Sequence, residues 1–203
     1  LMVLGLVYWT SPVPIPSYDK VVADWHPSES WLYDRDGHVI DSERVDFHAR
    51  RLGWTALDKI SPVMVGTVIA AEDHRFRFHE GVDWLALAGA LRTRLTGGHP
   101  RGASTISMQV AAILTPELAR PGARGWRDKI RQMRSARALE ADWTKDQILT
   151  AYLNLAPFRG EAQGIGAAAL TLLGKDADKL SRQNALLLAA VLPDPAAGAA
   201  RIA

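Results

Sequence analysis

The chain has 203 residues, 48% of them hydrophobic and 23% charged, which excludes disorder and leaves room for one domain with a sizeable core, or one domain and an appendage. The formal net charge is only +2, but arginine and lysine crowd between Arg120 and Arg137, pointing to an anionic partner such as a phosphate, a nucleic acid or a lipid headgroup. Cysteine is absent, so disulfides and thiol chemistry are excluded and a zinc site is disfavoured.

In chain order, Leu1 to Trp9 (LMVLGLVYW) is apolar, and the proline-rich Ser11-Pro12-Val13-Pro14-Ile15-Pro16 follows. Nine residues cannot cross a bilayer, which takes about 20. They read as the outer end of a truncated membrane segment with Tyr8 and Trp9 at the interface, and the leading Leu fits a fragment; a short core strand or the tail of a signal sequence are the alternatives. Trp31 to Ile40 reads as a β-hairpin around the Asp36-Gly37 turn. Asp34 and Asp36 resemble part of a calcium loop, but the later ligands and the closing glutamate are missing, so turn chemistry accounts for them.

Beyond Thr55 the chain reads as helical. The first helix runs from Pro62 to about His74, with Ser61 as its cap and Pro62 in its first turn. Val68 and Val65 lie one and two turns before Glu72 on the same face, so the stripe that should meet the core ends in a carboxylate. Burial there disfavours the charged form, as a general acid or base near neutral pH requires; two acids facing water at a helix end is the plainer alternative. Asp83 caps a second helix, Trp84 to Leu95, which stops at Gly97-Gly98. The loop Gly97 to Gly102 leads into a helix started by Ser104-Thr105. With its backbone N–H groups, hydroxyls and Arg101, that start reads as an anion site, or as a flexible surface connection.

A basic helix then spans about Trp126 to Trp143. Arg127, Arg131 and Arg134 share one stripe, and Lys129, Gln132 and Ala136 another. Thr144-Lys145-Asp146-Gln147 is a capping box for a helix ending near Asn154; Lys145 in its first turn opposes the helix dipole, which points to a local use, with an offset by the adjacent Asp146 as the alternative. Gly160 to Gly166 is a loop, an alanine-rich helix runs to Leu173, and Ser181 caps a last helix that Pro193 terminates. His74 and His79, five apart, share no helical face, so no metal site is read.

Four blocks, in this order and spacing, resemble the peptidoglycan glycosyltransferase domain (family 51) of class A penicillin-binding proteins. They are Glu72-Asp73-x-x-Phe76-x-x-His79-x-Gly81, then Gly102-Ala103-Ser104-Thr105-Ile106-Ser107-Met108-Gln109, then Lys145-Asp146-Gln147-Ile148-Leu149-Thr150-Ala151-Tyr152-Leu153-Asn154, and Gln163-Gly164-Ile165-Gly166-Ala167-Ala168-Ala169 closed by Leu173-Gly174-Lys175. Met108 and the turn Ala156-Pro157-Phe158 look most like the C-type members.

The resemblance implies a mainly α, lysozyme-like domain with a membrane-facing jaw, a small N-terminal β-hairpin and a truncated membrane segment. The expected organisation is a membrane-anchor end and proline-rich linker over 1–16, the hairpin region over 17–54, the glycosyltransferase domain over 55–195, and a linker or tail over 196–203 that leaves room for a transpeptidase domain. The implied substrates are lipid II and the nascent glycan strand: the donor sugar passes to a 4-hydroxyl, its anomeric centre inverts to a β-1,4 link, and undecaprenyl pyrophosphate leaves. The implied setting is the outer, periplasmic face of the bacterial inner membrane, on a single-pass anchor. Its implied partners are the lipid bilayer and wall-synthesis proteins, with no nucleic acid.

By the same resemblance Glu72 is the base, and Asp73, counted with it as catalytic, shapes the cleft around it. His79 shapes the cleft, Ser104, Thr105 and Gln109 bind sugar or phosphate, and Lys129 is the pyrophosphate ligand; Phe76, Tyr152 and Asn154 are packing residues. No cofactor is required, with a divalent cation at the pyrophosphate left open. Two positions depart from the family pattern: Gln132, counted back from Glu140, stands where a glutamate is common, although the C-type members tend to glutamine, and can still hydrogen-bond a phosphate or sugar as a substrate-binding residue; Ala112 stands where a cation is usual, with Arg101, Arg131 or Arg124 as candidates to compensate. These departures keep a degenerate lipid II or glycan-binding module as an alternative; a lysozyme-like hydrolase is another, opposed by the basic helix and the missing second carboxylate.

Overall fold

The computed structural model describes Trp9, Ser11 and residues 13–98, 102–115 and 125–192. Among them are eight α-helices and one two-stranded antiparallel sheet, the mainly α architecture with a small hairpin that was expected. No helix among the described residues is long and apolar enough to cross a membrane. The expected anchor end, Leu1 to Tyr8, lies outside the described residues, as do Arg101, Arg124 and Pro193.

The chain divides into two compact units, Leu1–Tyr18 with Glu72–Leu149, and Asp19–Ala71 with Thr150–Ala203. After helix α1 (Tyr18–Ala23), the second unit carries strands β1 (Glu29–Tyr33) and β2 (Val39–Arg44), helix α2 (Pro62–Glu72, apart from its last residue), and helices α7 (Ile165–Leu173) and α8 (Arg182–Val191). The hairpin is longer than its sequence pattern, because β2 continues to Arg44. Its turn is built by Asp34, whose Oδ1 accepts the backbone N–H groups of Asp36 and His38, both at 2.8 Å, while Gly37 takes the left-handed conformation at φ +83°. Asp34, Asp36 and His38 do lie close enough together to hold a cation, but the Asp34 carboxylate is already committed to the turn.

Helix α2 stops at Glu72, two residues short of the sequence reading, and its Met64 and Val68 are fully buried. The Ser61 hydroxyl before it donates to the Leu180 carbonyl at 2.8 Å, and the Ser61 N–H donates to Ala177, pinning the start of α2 to the approach of α8. Ser181 and Asn184 form the capping box of α8. Asn154 bridges Thr55 through both ends of its amide, accepting from the Thr55 N–H and donating to its carbonyl, each at 2.8 Å. Gly164, at φ +84°, runs so close to the Asn154 carbonyl that a Cβ would lie 2.5 Å from it.

The first unit contains helices α3 (Trp84–Leu95), α4 (Ile106–Leu114) and α5 (Trp126–Asp142), and the start of α6 (Lys145–Leu155). Its core cluster is Val82, Met108, Ala111, Met133 and Ala136, with Trp9 and Leu87 packed against it. The proline-rich stretch lies on this unit: Trp143 Nε1 donates to the Pro16 carbonyl at 3.1 Å, and Arg134 donates to that of Ser11 at 2.9 Å. The cap of α3 is Asp83, which accepts from Leu85 and Ala86, and that of α6 is the reciprocal Thr144–Gln147 box, both as the sequence indicates.

Candidate active site

Glu72 closes α2 half-buried, and its Oε2 accepts a 2.9 Å hydrogen bond from the Gln109 amide, one turn into α4. Four residues earlier, Val68 is sealed in the core, so the apolar stripe does end in this carboxylate. A fixed donor on one oxygen orients the carboxylate.

Asp73, one residue on, has a different environment. Its side chain is 4% exposed; it meets His79 Nε2 at 2.9 and 3.1 Å and accepts the backbone N–H of Ile106 at 3.0 Å. Asp73 therefore sits on the first turn of α4, where an anion satisfies an orphan donor and complements the dipole. Thr105 completes that start: its hydroxyl accepts from the Met108 N–H at 3.1 Å and donates to the Gly81 carbonyl at 2.6 Å.

The sequence reads the α4 start as an anion site or as a surface connection. Two of its donors are taken by Asp73 and Thr105, and both side chains are buried. Asp73, His79 and Thr105 thus position α4 and, through it, Gln109. His79 is 5% exposed in its side chain and lies edge-on to the fully buried Phe76, with Nδ1 buried and unpartnered among the described residues.

A second group gathers on α5. The Lys129 ammonium donates to the Ser104 hydroxyl at 2.7 Å and to Gln132 Oε1 at 3.3 Å. Gln132 is 4% exposed and donates its amide to the Met108 carbonyl of α4 at 2.8 Å. Ser104, Lys129 and Gln132 are thereby brought together, with a half-buried cation at their centre.

The sequence model of the family described as "Transglycosylase" matches residues 36–201. The chain belongs to the transglycosylase family. A biosynthetic peptidoglycan transglycosylase of Rhodospirillum centenum is 45% identical over 144 residues, 70% of this chain and 60% of that protein. One of Escherichia coli is 37% identical over 202 residues, 96% of this chain and 77% of that protein. One of Xylella fastidiosa is 42% identical over 146 residues, 70% of this chain and 57% of that protein. The chain thus spans less than two thirds of the first and third of these relatives.

Within this transglycosylase domain the two departures have local explanations. Gln132 uses both ends of its amide, on Lys129 and on the Met108 carbonyl; a carboxylate has no N–H to give that carbonyl. Ala112 is 7% exposed, on the packed side of α4. What sequence reasoning missed is the support behind the first block. Lys145 donates to Glu140 at 2.6 Å and to the His79 carbonyl at 2.5 Å, lies 4.5 Å from the centre of the Phe76 ring, and Ser107 donates to the same Glu140 oxygen at 2.5 Å. The awkward place of Lys145 in a first turn was the signal; its partner Glu140 carried none. Arg127 and Arg131 of the expected stripe are exposed, Arg127 lying against the exposed Trp126 and Arg131 3.6 Å from Asp128.

Proposed function

We propose that this domain polymerises peptidoglycan glycan strands from lipid II, with Glu72 as the general base. Glu72 takes the proton of the acceptor 4-hydroxyl as that oxygen attacks the anomeric carbon of the donor. The bond from that carbon to the pyrophosphate breaks, the centre inverts to a β-1,4 link, and undecaprenyl pyrophosphate leaves with the electron pair. Lys129 and Ser104 offer an ammonium and a hydroxyl to the departing charge, a form of electrostatic stabilisation that preorganised donors provide well. The observation that carries the reading is the Gln109–Glu72 hydrogen bond, which holds a half-buried carboxylate in one orientation at the end of an apolar stripe.

The donor set of the second group does not suit a divalent cation. Ser104, Lys129 and Gln132 include no carboxylate, and the Lys129 ammonium already occupies the centre. The reading places the domain at the outer face of the inner membrane, where lipid II and the growing strand are met. Labelled lipid II in detergent or vesicles, with products resolved by size, tests it. Long strands are expected from the unaltered protein, with a loss on the order of a hundredfold or more in Glu72→Gln. Binding of lipid II without any polymer would instead assign a binding module, and breakdown of preformed glycan a hydrolase.

A further inference from the structure

The β1–β2 hairpin is attached at its root and bare over the rest of its length. Glu29, with its side chain 7% exposed, is held by Arg50 at 2.7 Å, and Arg44 makes two parallel bonds to Glu161 at 2.8 and 2.9 Å. Beyond that root every residue of β1 is exposed, as are the residues of β2 before Arg44. Each strand has a single neighbour among the described residues, so both outer edges of the ribbon are unpaired.

The two faces differ in chemistry. Pairing of Trp31 with Ser42 and of Leu32 with Asp41, then the register shift that sets Tyr33 opposite Val39, puts Trp31, Tyr33 and Val39 on one face, with Ser42 and, at the root, Arg44. Asp41 and Glu43 stand on the other with Leu32 and Ser30. Leu32, Tyr33, Val39 and Ile40 are each more than half exposed. The free end also carries Asp34 and Asp36 against Arg35 as its one arginine or lysine, in a chain whose overall charge is +2. An isolated two-stranded ribbon is marginal in water, and unpaired edges of this kind are templates for another strand.

We propose that this hairpin is a docking edge for an extended segment of a partner protein in which apolar and basic residues alternate, added as a third strand beside β2. Backbone hydrogen bonds supply the pairing. Alternation places the partner's basic side chains beside Asp41 and Glu43 and its apolar ones on the opposite face, next to Val39 and on the same side of the ribbon as Trp31 and Tyr33, the usual division of labour in strand addition. Charge complementarity chooses this occupant: anionic lipid is repelled by the acidic end, and a second hairpin of the same chain would set like charges side by side.

The test uses the whole chain and a short synthetic peptide alternating lysine and valine, followed by calorimetry and by the amide signals of 39–44. Weak binding, on the order of 100 μM, is expected, with new protection of β2 amides and loss at high salt. The Asp41→Lys/Glu43→Lys double variant should weaken it by at least about tenfold with unchanged thermal unfolding, and Ile40→Lys should also weaken it. A peptide alternating glutamate and valine should not bind, and one with the lysines and valines in separate blocks should bind far less. Equal binding of the blocked peptide, or indifference to the charge reversal, overturns the proposal. So does hairpin-dependent self-association, which assigns the edge to a second copy, or hairpin-dependent sedimentation with anionic vesicles, which assigns it to a membrane.

Discussion

At Gly81 the backbone holds φ +85°, and a Cβ there would lie 2.7 Å from the carbonyl carbon and oxygen of Ala136 in α5. The same residue's carbonyl accepts the Thr105 hydroxyl, so one position joins the end of the first block to both α4 and α5. Neither partner can retreat, because the atoms in the way are helix backbone. Gly81→Ala is therefore expected to cost on the order of 3 kcal/mol from strain and clash together. That should appear as a fall in Tm of about 6–12 °C for a chain of this size. Gly89 is the internal control: it sits within α3 with ordinary φ, and a Cβ added there would meet nothing within 4 Å, so Gly89→Ala should raise stability by about 0.5–1 kcal/mol. Thermal melts of the two variants side by side decide the matter, and equal effects would contradict the assignment of Gly81 as a contact point.

Helices α4, α5 and α6 are tied by Glu140, which is 7% exposed and receives both Lys145 and Ser107, while Lys145 also holds the His79 carbonyl. Removing the cation strands a buried carboxylate, and since Lys145 is 21% exposed the cost falls below that of a fully buried pair. Lys145→Met should destabilise by about 2–3 kcal/mol, and Glu140→Leu in the same chain should return much of it, as apolar replacement of a buried pair often does. Denaturant unfolding of both singles and the double closes that cycle; strictly additive losses would show that the two groups do not act as a pair. This network also marks how far the sequence could be read. Periodicity and capping residues gave the helices, because Asp83, Thr144 and Ser181 act within one turn of themselves. The pairing of Glu72 with Gln109 and of Ser104 with Lys129 joins residues 25 or more positions apart, and block order alone brought them under suspicion. The burial of Asp73, His79 and Thr105 was hidden because their polar groups satisfy one another across the fold, a property no local pattern encodes.

Over the molecule as a whole, charge is unevenly placed. Lysine and arginine line α5, whereas acidic groups with lowered proton affinity gather in and around the hairpin. Backbone N–H groups, led by that of His38, hold the Asp34 carboxyl below its usual range; the His48 N–H and then Arg51 do the same for Asp46, and Arg44 does so for Glu161. Each is more acidic folded than unfolded, so the folded hairpin region binds fewer protons. Its stabilisation is fully present above the unfolded carboxylate range, near about pH 4, and is lost as pH falls through the lower folded values. Asp34 organises the turn, Asp46 pairs with Arg51, and Glu161 anchors the root of β2, so protonation releases all three supports of the ribbon together. Hydrogen exchange followed from pH 6 to pH 3, corrected for the intrinsic pH dependence of exchange, should show protection of the hairpin amides falling below about pH 4. Asp46→Asn should remove part of that fall and lower protection at neutral pH, since it abolishes the ion pair with Arg51 while leaving a side-chain oxygen to accept from His48. Hairpin protection that stays level down to pH 3 would show that these carboxylates contribute nothing to holding the ribbon.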